Sequence, residues 1–88
     1  MRFHLFVLFH ILRRNNDGDR ELQGFDTFGT VFEVSRYEEI APTVHSLVVK
    51  EYDRRNGTAE LPPADLDSPH PNYLWHVPVS HSVVLLPN

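Results

Sequence analysis

The chain has no cysteine, one lysine and no excess of positive charge: Lys and Arg together number 8 against 12 Asp and Glu, a formal net charge of -4. Without cysteine there are no disulfides, no thiolate metal sites and no thiol nucleophiles, so the fold rests on packing alone. That composition suits a reducing compartment, and a cytoplasmic location is the expectation. The basic face that marks nucleic-acid binding is missing, so direct nucleic-acid binding is not expected. Apart from Lys50 every basic residue is arginine. Arginine suits bidentate recognition of carboxylate or phosphate, but a compositional bias of the genome is the plainer account of it. No glycine-rich phosphate loop occurs.

A long hydrophobic run is also lacking. The nearest to one, Met1 to Leu12, is interrupted by His4 and His10 and followed by Arg13 and Arg14 where a small-residue cleavage site would stand. It is too short to span a bilayer, so it reads neither as a signal peptide nor as a membrane segment, and no membrane association is expected.

What is present is 88 residues, 41% of them hydrophobic and 11% aromatic. A chain this apolar buries enough surface to offset its conformational entropy. The length predicts one domain over residues 1–88, with a stability of about 4–13 kcal/mol.

Phe3, Leu5, Val7, Phe9 and Ile11 form one apolar face at period two, and His4, Phe6, Leu8, His10 and Leu12 form a mixed second face. The spacing predicts a strand that is apolar on both sides. Asn15-Asn16-Asp17-Gly18-Asp19 then supplies a hairpin turn. With Asp17 and Gly18 central, Arg14 would face Glu21 and Arg2 would face Glu33. The second strand, Glu21 to Val34, contains Gly24 and Gly29, and a bulge is expected near one of them.

Ser35-Arg36-Tyr37-Glu38 reads as a capping box opening a helix from about Arg36 to Asn56. Tyr37, Ile40, Ala41, Val44, Leu47, Val48 and Tyr52 fall on one stripe, which passes through Pro42 in phase and predicts a kinked helix or a restart there. Gly57 follows as the C-terminal cap, with Arg54 and Arg55 in the last turn where cations suit the helix dipole. Residues 58–72 carry Pro62, Pro63, Pro69 and Pro71 and read as a stiff surface loop. In the last stretch, Tyr73 to Leu86, alternation puts Tyr73, Trp75, Val77, Val79, Val83 and Leu85 on one face and Leu74, His76, Ser80, Ser82 and Val84 on the other, with Pro78 marking an edge or a break. The expected fold is α+β: a small antiparallel sheet of three or four strands, in the order strand, strand, helix, loop, strand, with one helix on one face.

Six histidines, His4, His10, His45, His70, His76 and His81, are the most tempting chemical feature. None has metal-ligand spacing on one element, so a site would need several elements; adjacent first and last strands would place His4, His10 and His76 on one face. Filling of half-buried positions is the plainer account of them. The turn resembles part of a calcium loop, but aligning Gly18 with the loop glycine puts Arg13 at the first ligand position and Gly24 at the bidentate one. Asn56-Gly57-Thr58 matches a glycosylation acceptor that a glycine helix cap explains. Ser46 beside His45 and Ser80-His81-Ser82 are sequence neighbours only, with no nucleophile elbow. Glu38-Glu39 and Asp65 with Asp67 are explained by the helix dipole and by solvation. No catalytic, metal-binding or cofactor-binding residue is assigned, and no cofactor is expected.

One helix covers one side of the predicted sheet and leaves Phe6, Leu8, Leu12, Phe25 and Val31 on the other. The expected function is therefore a non-enzymatic interaction module, an inhibitor or accessory protein that blocks a host protein complex. Small, arginine-biased, cysteine-free proteins of phages and mobile elements are the analogy. Phe6, Leu8, Phe25, His70, Tyr73, Trp75 and His76 are the candidate partner-binding residues, with another protein as partner and a homodimer as a further option. The alternative is a histidine-based metal- or small-ligand-binding domain with catalytic activity, formed at a homodimer interface.

Overall fold

The computed structural model describes residues 1–14, 17, 19–57 and 74–87. Its order is β1 (Arg2–Arg14), β2 (Arg20–Glu33), a single 3-10 turn (Tyr37–Glu39), α1 (Ile40–Asn56) and β3 (Leu74–Leu85). The three strands form one antiparallel sheet ordered β2-β1-β3. The fold is the expected α+β arrangement, with three strands.

β1 is central because it is apolar on both faces. Its odd residues Phe3, Leu5, Val7 and Phe9 are buried, and with Phe32, Val34 and Val44 they make the core. Ile40, Leu47 and Val48 of α1, with Phe28 and Val83, pack against that cluster. The expected hairpin joins β1 to β2, with Asp17 in a turn; Asn15, Asn16 and Gly18 lie outside the described residues.

Arg2 faces Glu33 as the sequence predicts, but Arg14 faces Arg20 and Glu21 faces Arg13. The cause is a register shift between Ile11 and Leu12, where Ile11 pairs with Gly24 and Leu12 with Leu22. Gln23 is the extra residue, beside the glycine where a bulge was expected.

The helix departs from expectation at its start. No side-chain cap bond forms at Arg36 or Glu39, so the Ser35 capping box is not made, and the first turn is 3-10. Pro42 is the third residue of α1, where its missing N–H removes no intrahelical bond. The stripe also rotates: Tyr37 and Tyr52 are exposed, while Val44, Glu51 and Asn56 are buried. Gly57 ends the helix at φ 63°, its N–H donating to the Asp53 carbonyl, as expected of a left-handed cap.

β3 pairs with β1 along its whole length, with a second register shift between Leu8 and Phe9 that leaves Val79 extra. Strict alternation therefore fails across Pro78. Trp75 and Val77 stand opposite Leu12 and His10, on the face away from α1, while His76 and Val83 stand opposite Ile11 and Leu5, on the helix side. The single-face grouping of Trp75 with Val83 is corrected accordingly. The prolines of the 58–72 loop lie outside the described residues. Among the described residues no helix is long and apolar enough to cross a membrane.

Candidate functional site

The covered face of the sheet carries a polar cluster under the last turns of α1. Glu51, its side chain 7% exposed, accepts from Arg54 and from Arg55 Nε at 2.8 Å, and Arg55 also reaches Asp26 of β2. The Arg55 guanidinium lies 4.7 Å from the Phe9 ring centroid. The Arg54 hydrogen bond, joined by that of Arg55 and opposed by burial, holds the Glu51 carboxyl below its ordinary value of 4.5. Asp26 is lowered by Arg55 and then by the Thr27 N–H.

A lowered folded value means that this stabilisation is complete above the unfolded pKa and is lost as pH falls through the folded one. Urea unfolding at pH 7 and pH 3 is expected to show the loss. Glu51→Gln is expected to cost about 1–2 kcal/mol at pH 7, since bonds to charged groups are among the stronger ones, and to flatten that pH dependence. An unchanged pH profile in Glu51→Gln would remove Glu51 from the account.

Asn56 closes the cluster. Its side-chain N–H groups donate to the carbonyls of Tyr52 at 2.9 Å and His76 at 2.8 Å, and its Oδ1 accepts from the His76 N–H at 2.8 Å. The amide thus pairs with the outer edge of β3 as a strand residue would. His76 is therefore built into the covered side rather than the open face, and its Nδ1 is buried with no hydrogen-bond partner among the described residues.

The open face is different in kind. Its registered rows across β2, β1 and β3 are Val31-His4-Val84, Gly29-Phe6-Ser82, Thr27-Leu8-Ser80, Phe25-His10-Val77 and Leu22-Leu12-Trp75. None of these residues is Asp, Glu, Lys or Arg. Phe25 is 61% exposed, and Phe6, Leu22, Val31 and Val84 are each between 46% and 49% exposed. The His4 and Phe6 rings stack at 4.0 Å, and His10 meets Phe25 edge-on at 5.2 Å. Gly29 makes room for the first pair, since a Cβ there would stand 3.2 Å from His4 Nε2. Charges sit at the ends: Arg2 and Glu33 at one and Arg20 at the other, with Arg20 lying 4.9 Å over the Trp75 ring.

Of the seven candidate residues, Phe6, Leu8, Phe25 and Trp75 therefore meet on one face. His76 stands on the opposite side, and His70 and Tyr73 lie outside the described residues. Val77 and Val84 join the face unexpectedly; the proline at position 78 was the only signal that alternation would change phase there. His4 and His10 share the open face without His76, so the three-histidine cluster does not form. Among the described residues no three His, Cys, Asp or Glu side chains are arranged to hold a metal ion.

A cleft of about 680 Å³ lies between α1 and β3, lined by Ile40, Val44, Val48 and Val83 with His45 and His81. Its walls are mainly hydrocarbon, and they bring together no nucleophile with an oriented base. Comparison with family models, curated proteins and solved structures finds no match to this chain, so its own geometry carries the functional reading.

Proposed function

We propose that this chain is a non-catalytic interaction module that docks protein through the open face of its sheet. The supporting observation is the uncharged band of five rows, with Phe6 and Phe25 projecting from it. Monomeric proteins rarely leave a contiguous apolar patch of more than a few hundred Å² in water, and aromatic side chains supply much of the energy of protein contacts. Two other surfaces are less suited to docking. Core residues are closed by α1, and Asn56 occupies part of the β3 edge that an added strand would need. A module of this size fits an inhibitor or accessory subunit working in the cytoplasm, of the kind that phages and mobile elements use to block host machinery.

The test is a photo-crosslinking residue placed at Phe25 or Val31 on the open face, and at Tyr37 or Val49 on the helix, in the native host. Adducts are expected from the sheet positions alone, and Phe6→Glu should abolish them. Adducts from the helix positions alone, or none at all, would refute the reading.

A further inference from the structure

We propose that the occupant of the open face is a second copy of this chain, stacked face to face with β1 running antiparallel to β1 of the partner about a two-fold axis near Leu8. The inference rests on the docking reading above and specifies its partner.

Three observations lead to it. The first is area. β1 has 13 residues and the sheet three strands. At about 3.3 Å per residue and about 4.8 Å between strands, the face measures roughly 43 by 14 Å, or about 600 Å² in projection. Two copies then bury about 1,200 Å², the lower bound of specific interfaces.

The second is the aromatic pattern. Leu8 is the midpoint of β1, with the Phe25 and His10 pair on one side of its row and the His4 and Phe6 stack on the other. A two-fold perpendicular to the strands sets the Phe25 and His10 pair of each copy against the Phe6 and His4 side of the other. It likewise sets the Leu22-Leu12-Trp75 row over the Val31-His4-Val84 row, with Trp75 over the smaller Val84. A two-fold along the strands would instead set each aromatic row on its own copy.

The third is charge. The perpendicular axis lays β2 over β2 and sets Arg20 opposite Glu33 of the other copy, an opposite-charge pair at the rim, while along β1 the register sets position 14 over Arg2. The axis along the strands would lay β2 over β3 and lose the pairing of Arg20 with Glu33. No residue of the five rows is Asp, Glu, Lys or Arg and Arg20 reaches in only as far as Trp75, so the net charge of -4 on each chain does not oppose the central contact. The product is an aligned two-layer sandwich of six strands, with a helix on each outer side.

Sedimentation equilibrium from about 1 to about 100 µM spans the affinities that an interface of this size supports. The expected mass is twice 10.2 kDa. Phe6→Glu buries two carboxylates at the centre of the contact and should raise the dissociation constant at least about 100-fold, with the circular dichroism of the fold retained. Phe25→Glu, at a still more exposed site, serves if that variant does not fold. Arg20→Glu and Glu33→Arg should each weaken the dimer by about fivefold, and the double variant should recover it. A mass of 10.2 kDa at every concentration overturns the second copy. Crosslinks from Phe25 and Val31 to a different protein would then keep the docking reading alive, and their absence would end both. A dimer that the double variant fails to restore overturns the antiparallel arrangement.

Discussion

Phe9→Ala is expected to cost about 3–5 kcal/mol, the usual range for emptying a phenylalanine site in a core, out of a total of about 4–13 kcal/mol for a chain of this size. Phe9 is fully buried at the middle of the central strand, so no neighbour on either side can collapse into the space without breaking the ladder. The loss reaches beyond hydrocarbon, because Arg55 packs over that ring while bonded to Glu51 and Asp26. Urea unfolding should therefore show a large fall in midpoint, with part of the population unfolded at 37 °C. Phe6→Ala is the internal control. It lies three residues earlier on the same strand, facing outward at 46% exposure, and should change monomer stability by about 0.5 kcal/mol. Comparable costs for the two would contradict the assignment of one face to the core and the other to a contact surface.

Asn56→Ala is expected to cost about 2–4 kcal/mol. Its amide satisfies three backbone groups, two of them on His76, and a partly buried backbone group left unpaired costs about 1–3 kcal/mol. The sharper readout is amide exchange. The His76 N–H should exchange slowly in the parent chain and much faster in Asn56→Ala, while core amides of β1 change only with global stability. Asn56→Asp should do no better, since a carboxylate facing the His76 and Tyr52 carbonyls repels where the amide donated. Unchanged exchange at His76 would show that Asn56 does not hold the strand edge. The variant also uncovers part of a β3 edge, which leaves that strand open to pairing with another chain.

Much of the architecture follows from local rules. Period-two alternation from Phe3 to Phe9 identifies the buried face because each strand residue points opposite to its neighbours, whatever else the chain does. The bulge beside Gly24 follows from the weakness of glycine in a ladder, and Arg2 faces Glu33 because the extra Gln23 offsets a register one residue away from the expected one at the turn. The apolar second face of β1 announces an open surface for the same reason.

The candidate site was legible only in part. Trp75 is on the open face and His76 on the covered one because Val79 is an extra residue opposite Leu8 and Phe9, and one extra residue inverts every side chain that precedes it. Proline at position 78 signals a disturbance without saying in which direction the phase moves. Neither Glu51 nor Asn56 falls on the apolar stripe, yet both are buried, Glu51 paired with Arg54 and Arg55 one turn along the same helix and Asn56 with the β3 backbone.

By itself, then, the sequence determined the cysteine-free core, the strand with two apolar faces, the hairpin and the glycine-capped helix, all features set within one or two turns of chain by periodicity and backbone preference. The low positive charge likewise follows from composition alone. Tertiary structure decided which face α1 covers, which aromatic and aliphatic residues of β2 and β3 join Phe6 on the other, and where charge is buried. Those outcomes depend on pairing register and on contacts between residues far apart in the chain, and a local pattern holds no information about either.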